Sequence, residues 1–583
     1  MDEYDATPVV DMRILYDEPI PMDDGIDLRA NVYLPPEEGE YPVVLALTSY
    51  AKDLPFCQGY PGAWENALQT APEIAEGTSG KYISFEAVDP EKWIPHGYAV
   101  VVVDCRGVGR SPGYLDNYSP RESQDYHDAI EWAAAQPWST GKIGTMGMSN
   151  LAVSQWLVAG RQAPHHAGMI AWEAWSDMLR GLSYHGGIPS TFYKSWADSQ
   201  VKSVQHGLGA RGFRNQFTGK LVSGDEELTQ EQLDANIADP YPMLMENPLD
   251  SGLYDWRRAK WDKIEVPLLS VGSWGAVGVH LRGNCEGFML AASEEKWLVI
   301  RQSHGTFAGM YTDEGVALQR RFFDYVLKGD DEFVRTQPPV QLHVRTAADT
   351  VSERRPETEW PLARTRWTKL YLDVENLALT DTPPAEQAQV TYRGFDKQGV
   401  TFLTPPMAEE TEICGPQAVK LWASSSTVDA DLFLTLRLFD PEGIEVLFHG
   451  MADPQMPVSN GWLRASQRKL DEAQSLPFRP YLSHDTVQPL FPDKVYELDV
   501  EIWPTNIVVP PGYRLGLMVA GVDFDHGRET VMWGKSGIEM RGSSIWPHVD
   551  PLRRPADVYD NEVTLYGGGE RTSHLLAAIV PPR

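Results

Sequence analysis

Two near-continuous apolar runs, residues 41–50 (YPVVLALTSY) and 98–104 (YAVVVVD), most restrict what this chain can fold into. A strand with one face in water alternates apolar and polar residues. These runs do not alternate, so they predict strands covered on both faces, as in a parallel sheet sandwiched between helices. The connection between them is about 45 residues rich in Pro, Gly, Trp and Tyr. That is too long for an ordinary link in a compact α/β unit and predicts a segment that covers something.

The pattern continues with helices between strands. Ser119-Pro120-Arg121-Glu122 carries a capping serine, a proline at the first helical position and a glutamate three residues past the cap, together a helix start. Tyr126, Ile130 and Ala133 mark its apolar face, and Pro137 ends it. Residues 142–147 (KIGTMG) read as a short buried strand, and residues 151–159 as an apolar helix after a tight turn. Strands then recur at 266–272 (VPLLSVG) and 296–302 (KWLVIRQ), and 313–329 reads as a closing amphipathic helix stopped by Gly329. Between about 180 and 262 the rhythm breaks into a Trp-, Tyr-, His- and Gln-rich stretch without a clean strand, read as a mainly helical insertion. Beyond about 350, alternating runs between Pro- and Gly-containing turns predict an all-β sandwich. Dividing 583 residues by roughly 150 per domain suggests about four units. The pattern gives three: an α/β domain over 1–179 and 263–349, a helical cap over 180–262, and a β-sandwich over 350–583.

Charge narrows the partners. Fifty Lys and Arg against 82 Asp and Glu leave a net −32, a surface that repels phosphate backbones and anionic lipid heads. No nucleic-acid or membrane role is expected. Four widely spaced cysteines form neither a zinc ribbon nor a disulfide scaffold. The opening MDEYDATPVVDMRI has no basic region followed by an apolar run, and no apolar run reaches the roughly 18 residues that span a bilayer. A cytoplasmic protein is the expectation.

The sharpest chemical signal is Gly147-Met148-Ser149-Asn150-Leu151. A serine between a short strand and an apolar helix, with a glycine two residues before it, fits a nucleophile elbow: the tight turn lifts the hydroxyl above the sheet at a helix N-terminus. Leu151 stands where G-x-S-x-G would have its second glycine. A serine nucleophile needs a base, and His304, directly after the run 296–302, is the candidate; His185 in the insertion and His280 after a loop rank below it. The residues after 266–272, from Ser273 to Val277, hold no carboxylate for the third role. Glu173, at the end of the apolar run 168–174 (GMIAWEA), is an alternative, with Asp177 nearby; a salt bridge or a backbone cap would explain Glu173 equally well. For the oxyanion, the Asn150 N–H follows the nucleophile by construction, and the Tyr50 phenol stands at the end of the first buried run. Asp104-Cys-Arg106-Gly-Val-Gly109 lacks a complete phosphate-loop pattern and reads as a structural turn. Adjacent His165 and His166, with no H-E-x-x-H, argue against catalytic zinc.

These residues meet a family pattern. Residues 147–156 (GMSNLAVSQW) resemble the elbow of the cocaine esterase and X-prolyl dipeptidyl-peptidase-like hydrolases, the CocE/NonD family. The run V-D-x-R-G-x-G-x-S-x-G matches residues 103–113, and residues 461–466 and 511–515 are similar to the family's C-terminal jelly roll. The resemblance implies an α/β-hydrolase core, an inserted helical cap and a C-terminal all-β jelly-roll (galactose-binding-like) domain. It implies acyl transfer through a serine triad with no cofactor and no metal, the oxyanion tyrosine at Tyr50 and the base at His304. It also departs from the family in three places: Asn150 replaces a tyrosine, Ala152 a glycine, and the position of the acid falls on Ala276. The segment around Glu173 resembles one that members carry beside their usual acid, which weighs against Glu173 as its replacement. The expected function is hydrolysis of a small-molecule ester or amide through an acyl-enzyme on Ser149. X-Pro dipeptidyl-peptidase activity, or a non-hydrolytic or acyl-transfer role with an altered triad, are the alternatives. A homo-oligomer is left open.

Overall fold

The protein was described through a computed structural model covering residues 5–303, 306–532 and 538–581. Its first sheet has ten strands. In chain order β1 (Arg13–Pro21), β2 (Asp27–Leu34), β3 (Tyr41–Thr48), β4 (Ala99–Asp104), β5 (Ser139–Met148) and β6 (His166–Trp172) come first. A small hairpin, β7 (Tyr184–His185) and β8 (Ile188–Pro189), stands apart. Strands β9 (Leu268–Ser273), β10 (Lys296–Arg301), β11 (Val340–Arg345) and β12 (Val351–Glu357) complete the sheet. The spatial order is β1-β2-β4-β3-β5-β6-β9-β10-β11-β12.

From β4 to β11 neighbouring strands run parallel, while β1, β2 and β12 pair antiparallel at the two edges. All six residues of β4 and seven of the eight of β3 are buried, as runs without a polar face require. Helices fill the crossovers. Pro120–Ala134 begins where Ser119 accepts from the Glu122 N–H at 3.1 Å, with Tyr126, Ile130 and Ala133 inward. The helix Asn150–Ala159 is buried along its whole length. The closing helix Asp313–Phe323 runs on through a wider turn and stops at Gly329, whose φ of +79° suits a glycine. Because the central strands are parallel, the chain leaves β3, β5, β6, β9 and β10 at one edge of the sheet, where ligands of such folds bind.

The insertion after Leu179–Ser183 is a cap of short helices and turns around the β7–β8 hairpin, including Phe192–Trp196, Gln230–Ala235 and Pro240–Glu246. Twelve strands, from Arg366–Asp373 to His574–Val580, form a second sheet network around a core of its own that includes Leu372, Phe402, Leu421, Leu434, Leu498 and Leu517. Met451, Trp462, Trp503 and Trp546 of this β domain belong instead to the core of the first, so the jelly roll docks through large apolar side chains. The architecture is an α/β-hydrolase core with an inserted cap and a C-terminal jelly roll.

Candidate active site

Strand β5 ends at Met148, and Ser149 turns the chain into the next helix at φ +54°, a strained value for a residue with a side chain. Close packing enforces the turn: a Cβ on Gly147 would lie 2.4 Å from Cβ of Leu151. The Ser149 N–H bonds to the Trp172 carbonyl on β6, and the Met148 N–H to the carbonyl of Glu86, both at 2.9 Å. Ser149 is partly exposed among buried neighbours, the position a nucleophile elbow gives its hydroxyl.

The imidazole on this hydroxyl belongs to His280. Its Nε2 lies 3.2 Å from Ser149 Oγ. In the sequence His280 ranks below His304 because it trails a loop. Its loop nonetheless leaves β9 at the same sheet edge as the elbow, and that is the signal that could have found it. His304 lies outside the described residues.

His280 sits just before the helix Leu281–Leu290, with its N–H bonded to the carbonyl of Ala276 at 3.1 Å. Ala276, where the family pattern would put the acid, is fully buried. The β domain holds this loop down. The Met451 N–H bonds to the Gly275 carbonyl at 3.1 Å, a Cβ on Gly278 would lie 2.0 Å from the Trp546 indole nitrogen, and Arg282 bonds to both Glu501 carboxylate oxygens at 3.1 Å.

Behind His280 stands Glu173, one residue past β6, at φ +53°. Its Oε2 is 3.8 Å from His280 Nδ1, an ion-pair separation longer than a hydrogen bond. Neither atom has a hydrogen-bond partner among the described residues, so a small approach would join them. Burial raises the Glu173 carboxyl to about 8, against the opposing pull of Ser273 and Arg301. Burial likewise lowers His280 to about 3. Both groups are therefore neutral at rest around pH 7. An imidazolium formed during reaction would favour the carboxylate form of Glu173. Asp177, the other acid considered, is committed to Arg180 at 2.8 Å.

Tyr50, two residues past β3, is buried, and its hydroxyl accepts from Trp196 Nε1 of the cap at 3.1 Å. Phe85, Tyr60 and Trp196 contact its ring edge-on at centroid distances of 5.2, 5.8 and 6.3 Å. The next turn is locked by Lys52, whose N–H bonds to Asp104 at 2.6 Å and whose buried ammonium lies 2.7 Å from both Asp17 and Asp53. Gly109 packs on the Asp104 carboxylate, which leaves no room for a Cβ. Residues 104–109 therefore brace the Tyr50 turn. The side chain of Asn150 donates to the Tyr118 hydroxyl at 2.8 Å, while its backbone N–H faces the Glu86 carboxyl. Glu86, which the sequence reading did not single out, completes the wall: the Tyr50 hydroxyl, the Asn150 N–H and the Ser149 hydroxyl all face its carboxyl.

An elbow serine with an imidazole on its hydroxyl, set at the C-terminal edge of a parallel sheet, defines a serine hydrolase of the α/β-hydrolase class. Residues 24–306 match the model of the X-Pro dipeptidyl-peptidase (S15 family), and residues 332–535 that of the X-Pro dipeptidyl-peptidase C-terminal non-catalytic domain. A solved CocE/NonD family hydrolase from Staphylococcus aureus is 31% identical, covers 98% of this chain and 94% of its own, and superposes with a TM-score of 0.81. The cocaine esterase of a Rhodococcus species is 23% identical over 87% of this chain and 90% of its own. An aminopeptidase from a marine-sediment Thaumarchaeota archaeon shares the fold at 16% identity, with a TM-score of 0.68 and 98% and 97% of the two chains covered. The chain belongs to the CocE/NonD family of hydrolases, and it is an enzyme of the serine hydrolase type. Among the described residues no helix is long and apolar enough to cross a membrane.

Proposed function

We propose that this enzyme hydrolyses small carboxylic esters, and activated amides more slowly, through an acyl-enzyme on Ser149 with His280 as its base. The observation that carries this reading is the 3.2 Å contact between Ser149 Oγ and His280 Nε2 at a strained elbow. Ser149 Oγ attacks the carbonyl carbon and its proton passes to His280 Nε2. The Asn150 N–H and the Tyr50 hydroxyl receive the charge that develops on the carbonyl oxygen. His280 then returns the proton to the leaving alcohol as the tetrahedral intermediate collapses. A water repeats the sequence on the acyl-enzyme and frees the acid. Glu173 faces Nδ1 and stabilises the imidazolium while it exists.

A second assignment of the base keeps its own support. His304 is the position implied by the family resemblance, and Arg301 at the end of β10 pairs with Ser273 at the end of β9, so β10 ends at the same sheet edge as β9. Single His280→Gln and His304→Gln variants, assayed with an aryl acetate and with a fluorophosphonate label, decide between them. The proposal expects His280→Gln to lose both turnover and labelling. Retained labelling in that variant, with loss in His304→Gln, would assign the base to His304. Ser149→Ala should lose labelling and turnover while keeping its fold. Full turnover in Ser149→Ala would end the hydrolase assignment to this site. Acyl preference is a further arm: aryl esters turned over faster than X-Pro anilides support an esterase, and the reverse order supports the peptidase alternative.

A further inference from the structure

The long connection between β3 and β4 brings a buried carboxyl to the nucleophile, and the mechanism above does not use it. Glu86 is 3% exposed and sits at φ +64°, with its carbonyl held by the Met148 N–H at 2.9 Å. Its neighbour Phe85 stacks on Tyr60 at 3.9 Å between centroids, which fixes the direction of the side chain. The carboxyl faces three groups of the reaction site: the Tyr50 hydroxyl, the Asn150 N–H and the Ser149 hydroxyl. Its Oε2 is buried without a hydrogen-bond partner among the described residues. Ser149, in contrast, is partly open. Substrate therefore arrives on the open side, and Glu86 stands behind the place its carbonyl oxygen takes.

Counting donors shows which form of the carboxyl fits. The Ser149 hydroxyl has one hydrogen, and attack requires it to point at His280 Nε2. Toward Glu86 the serine then presents lone pairs, which only a protonated carboxyl can satisfy. The Tyr50 hydroxyl accepts from Trp196 and has its own hydrogen for the carbonyl oxygen of Glu86, and the Asn150 N–H can do the same. One neutral acid thus satisfies all three neighbours, whereas a carboxylate would leave the serine lone pairs against a buried negative charge.

We infer that Glu86 is a catalytic residue of the oxyanion site: its carboxylic acid donates a third hydrogen bond, beside Tyr50 and Asn150, to the oxygen of the tetrahedral intermediate. This rests on the reading of Ser149 as nucleophile. As substrate seats, its carbonyl oxygen takes the two donors from Glu86, and the Glu86 O–H turns from Ser149 to that oxygen. The hydrogen bond strengthens as Ser149 attacks and relaxes as the carbonyl re-forms. The proton stays on Glu86 throughout, so the only proton transferred is the one between Ser149, His280 and the leaving group. A carboxylic acid kept neutral by an apolar site is suited to this task. Burial pushes Glu86 well above the usual glutamate range, against the opposing pull of Tyr50, the Asn150 N–H and Ser149. The titratable groups facing it are Tyr50, Tyr60, Tyr118 and Tyr311, with Asp89 beyond Tyr311 and His280 across Ser149. The tyrosines stay neutral, since burial raises each of them well above the ordinary phenol value.

Glu86→Ala and Glu86→Gln, assayed with an aryl acetate across the pH range and checked by thermal melting, test the inference. Removing one oxyanion donor costs about 100-fold or more in kcat, so Glu86→Ala should fall by about that factor at neutral pH with KM nearly unchanged. The glutamine, a neutral donor of the same shape, should recover at least about tenfold of the loss. In the parent enzyme kcat should decline as alkali ionises Glu86, and this decline should vanish in Glu86→Gln. If Glu86→Ala does not fold, the pH profile of Glu86→Gln decides alone. An alanine variant as fast as the parent, or faster, would show that the carboxyl only fills the hole and would overturn the inference. Equal losses in both variants with the alkaline decline intact would reduce Glu86 to packing and overturn it as well. Either result leaves the nucleophile assignment standing, because that falls only if Ser149→Ala keeps its activity.

Discussion

The elbow and the base loop meet at a single hydrogen bond, yet they are built by opposite means. Ser149 is held by its own strand, its own helix and the neighbouring strand β6, and the contact that demands Gly147 comes from Leu151, four residues away. The loop around His280 is held by long-range contacts, of Gly275 with Met451, Gly278 with Trp546 and Arg282 with Glu501 of the jelly roll. Local backbone geometry therefore places Ser149, and domain docking holds the loop that brings His280 to it. The β domain, non-catalytic in its family description, clamps the loop that carries His280.

This difference can be broken from either side. The largest effect is expected for Ser149→Ala, which should lower kcat by about a millionfold, the scale of nucleophile removal in serine hydrolases, with no change in melting temperature. His280→Gln should approach the same loss because the two residues act as a unit. Glu173→Gln should cost about a hundredfold to ten-thousandfold in kcat and should also change the pH profile. Glu173 is raised to about 8 in the fold, above the ordinary glutamate value of 4.5, so activity that needs its ionised form rises as pH passes through that region, and the glutamine variant should lose this limb. The same shift has a stability counterpart. A carboxyl whose folded pKa is raised contributes stability below its unfolded pKa, and that contribution is lost between about 4.5 and about 8. Relative to the parent, Glu173→Gln should therefore melt higher at pH 9 than at pH 5. The smallest catalytic effects, and the most instructive, come from two glycines. Gly147→Ala drives a methyl into Leu151 and should destabilise the core by about 1–3 kcal/mol, with Ser149 mispositioned. Gly278→Ala drives one into Trp546 at a φ of +91° and should weaken docking of the β domain. In that variant, labelling of Ser149 should fall while the α/β core keeps its secondary structure. If Gly278→Ala left labelling unchanged, the dependence of the base on the jelly roll would be lost.

Much of this was legible along the chain. Strands β3 and β4 announced burial on both faces because they have no polar alternation, and the capping serine before Pro120 fixed a helix start to the residue. The elbow was readable despite Leu151 in place of glycine, because strand, small residue, serine and helix are consecutive. The place of Tyr50 just past a buried strand was readable as well. His280 was not. It follows β9 by seven residues, and although that strand ends at the elbow's sheet edge, the path of the loop back to Ser149 is set by long-range packing, including that of the jelly roll. Glu86 was hidden for a similar reason: the sequence marked its connection as a covering segment, but only the Met148 contact brings that particular residue to the serine. Glu173 was noticed as a carboxylate on an apolar strand end, and its distance from His280 became measurable only with β6 and β9 side by side.

The sequence by itself determined the class of fold and the strand–turn–helix that carries Ser149, since hydrophobic periodicity and turn sterics act over a few residues and need no distant partner. The tertiary structure decided that His280 reaches Ser149, how far Glu173 stands from it and that the Glu86 carboxyl faces the serine. Those pairings depend on packing between residues 63 to 131 positions apart, and they gain their chemistry only when burial strips water from the groups involved.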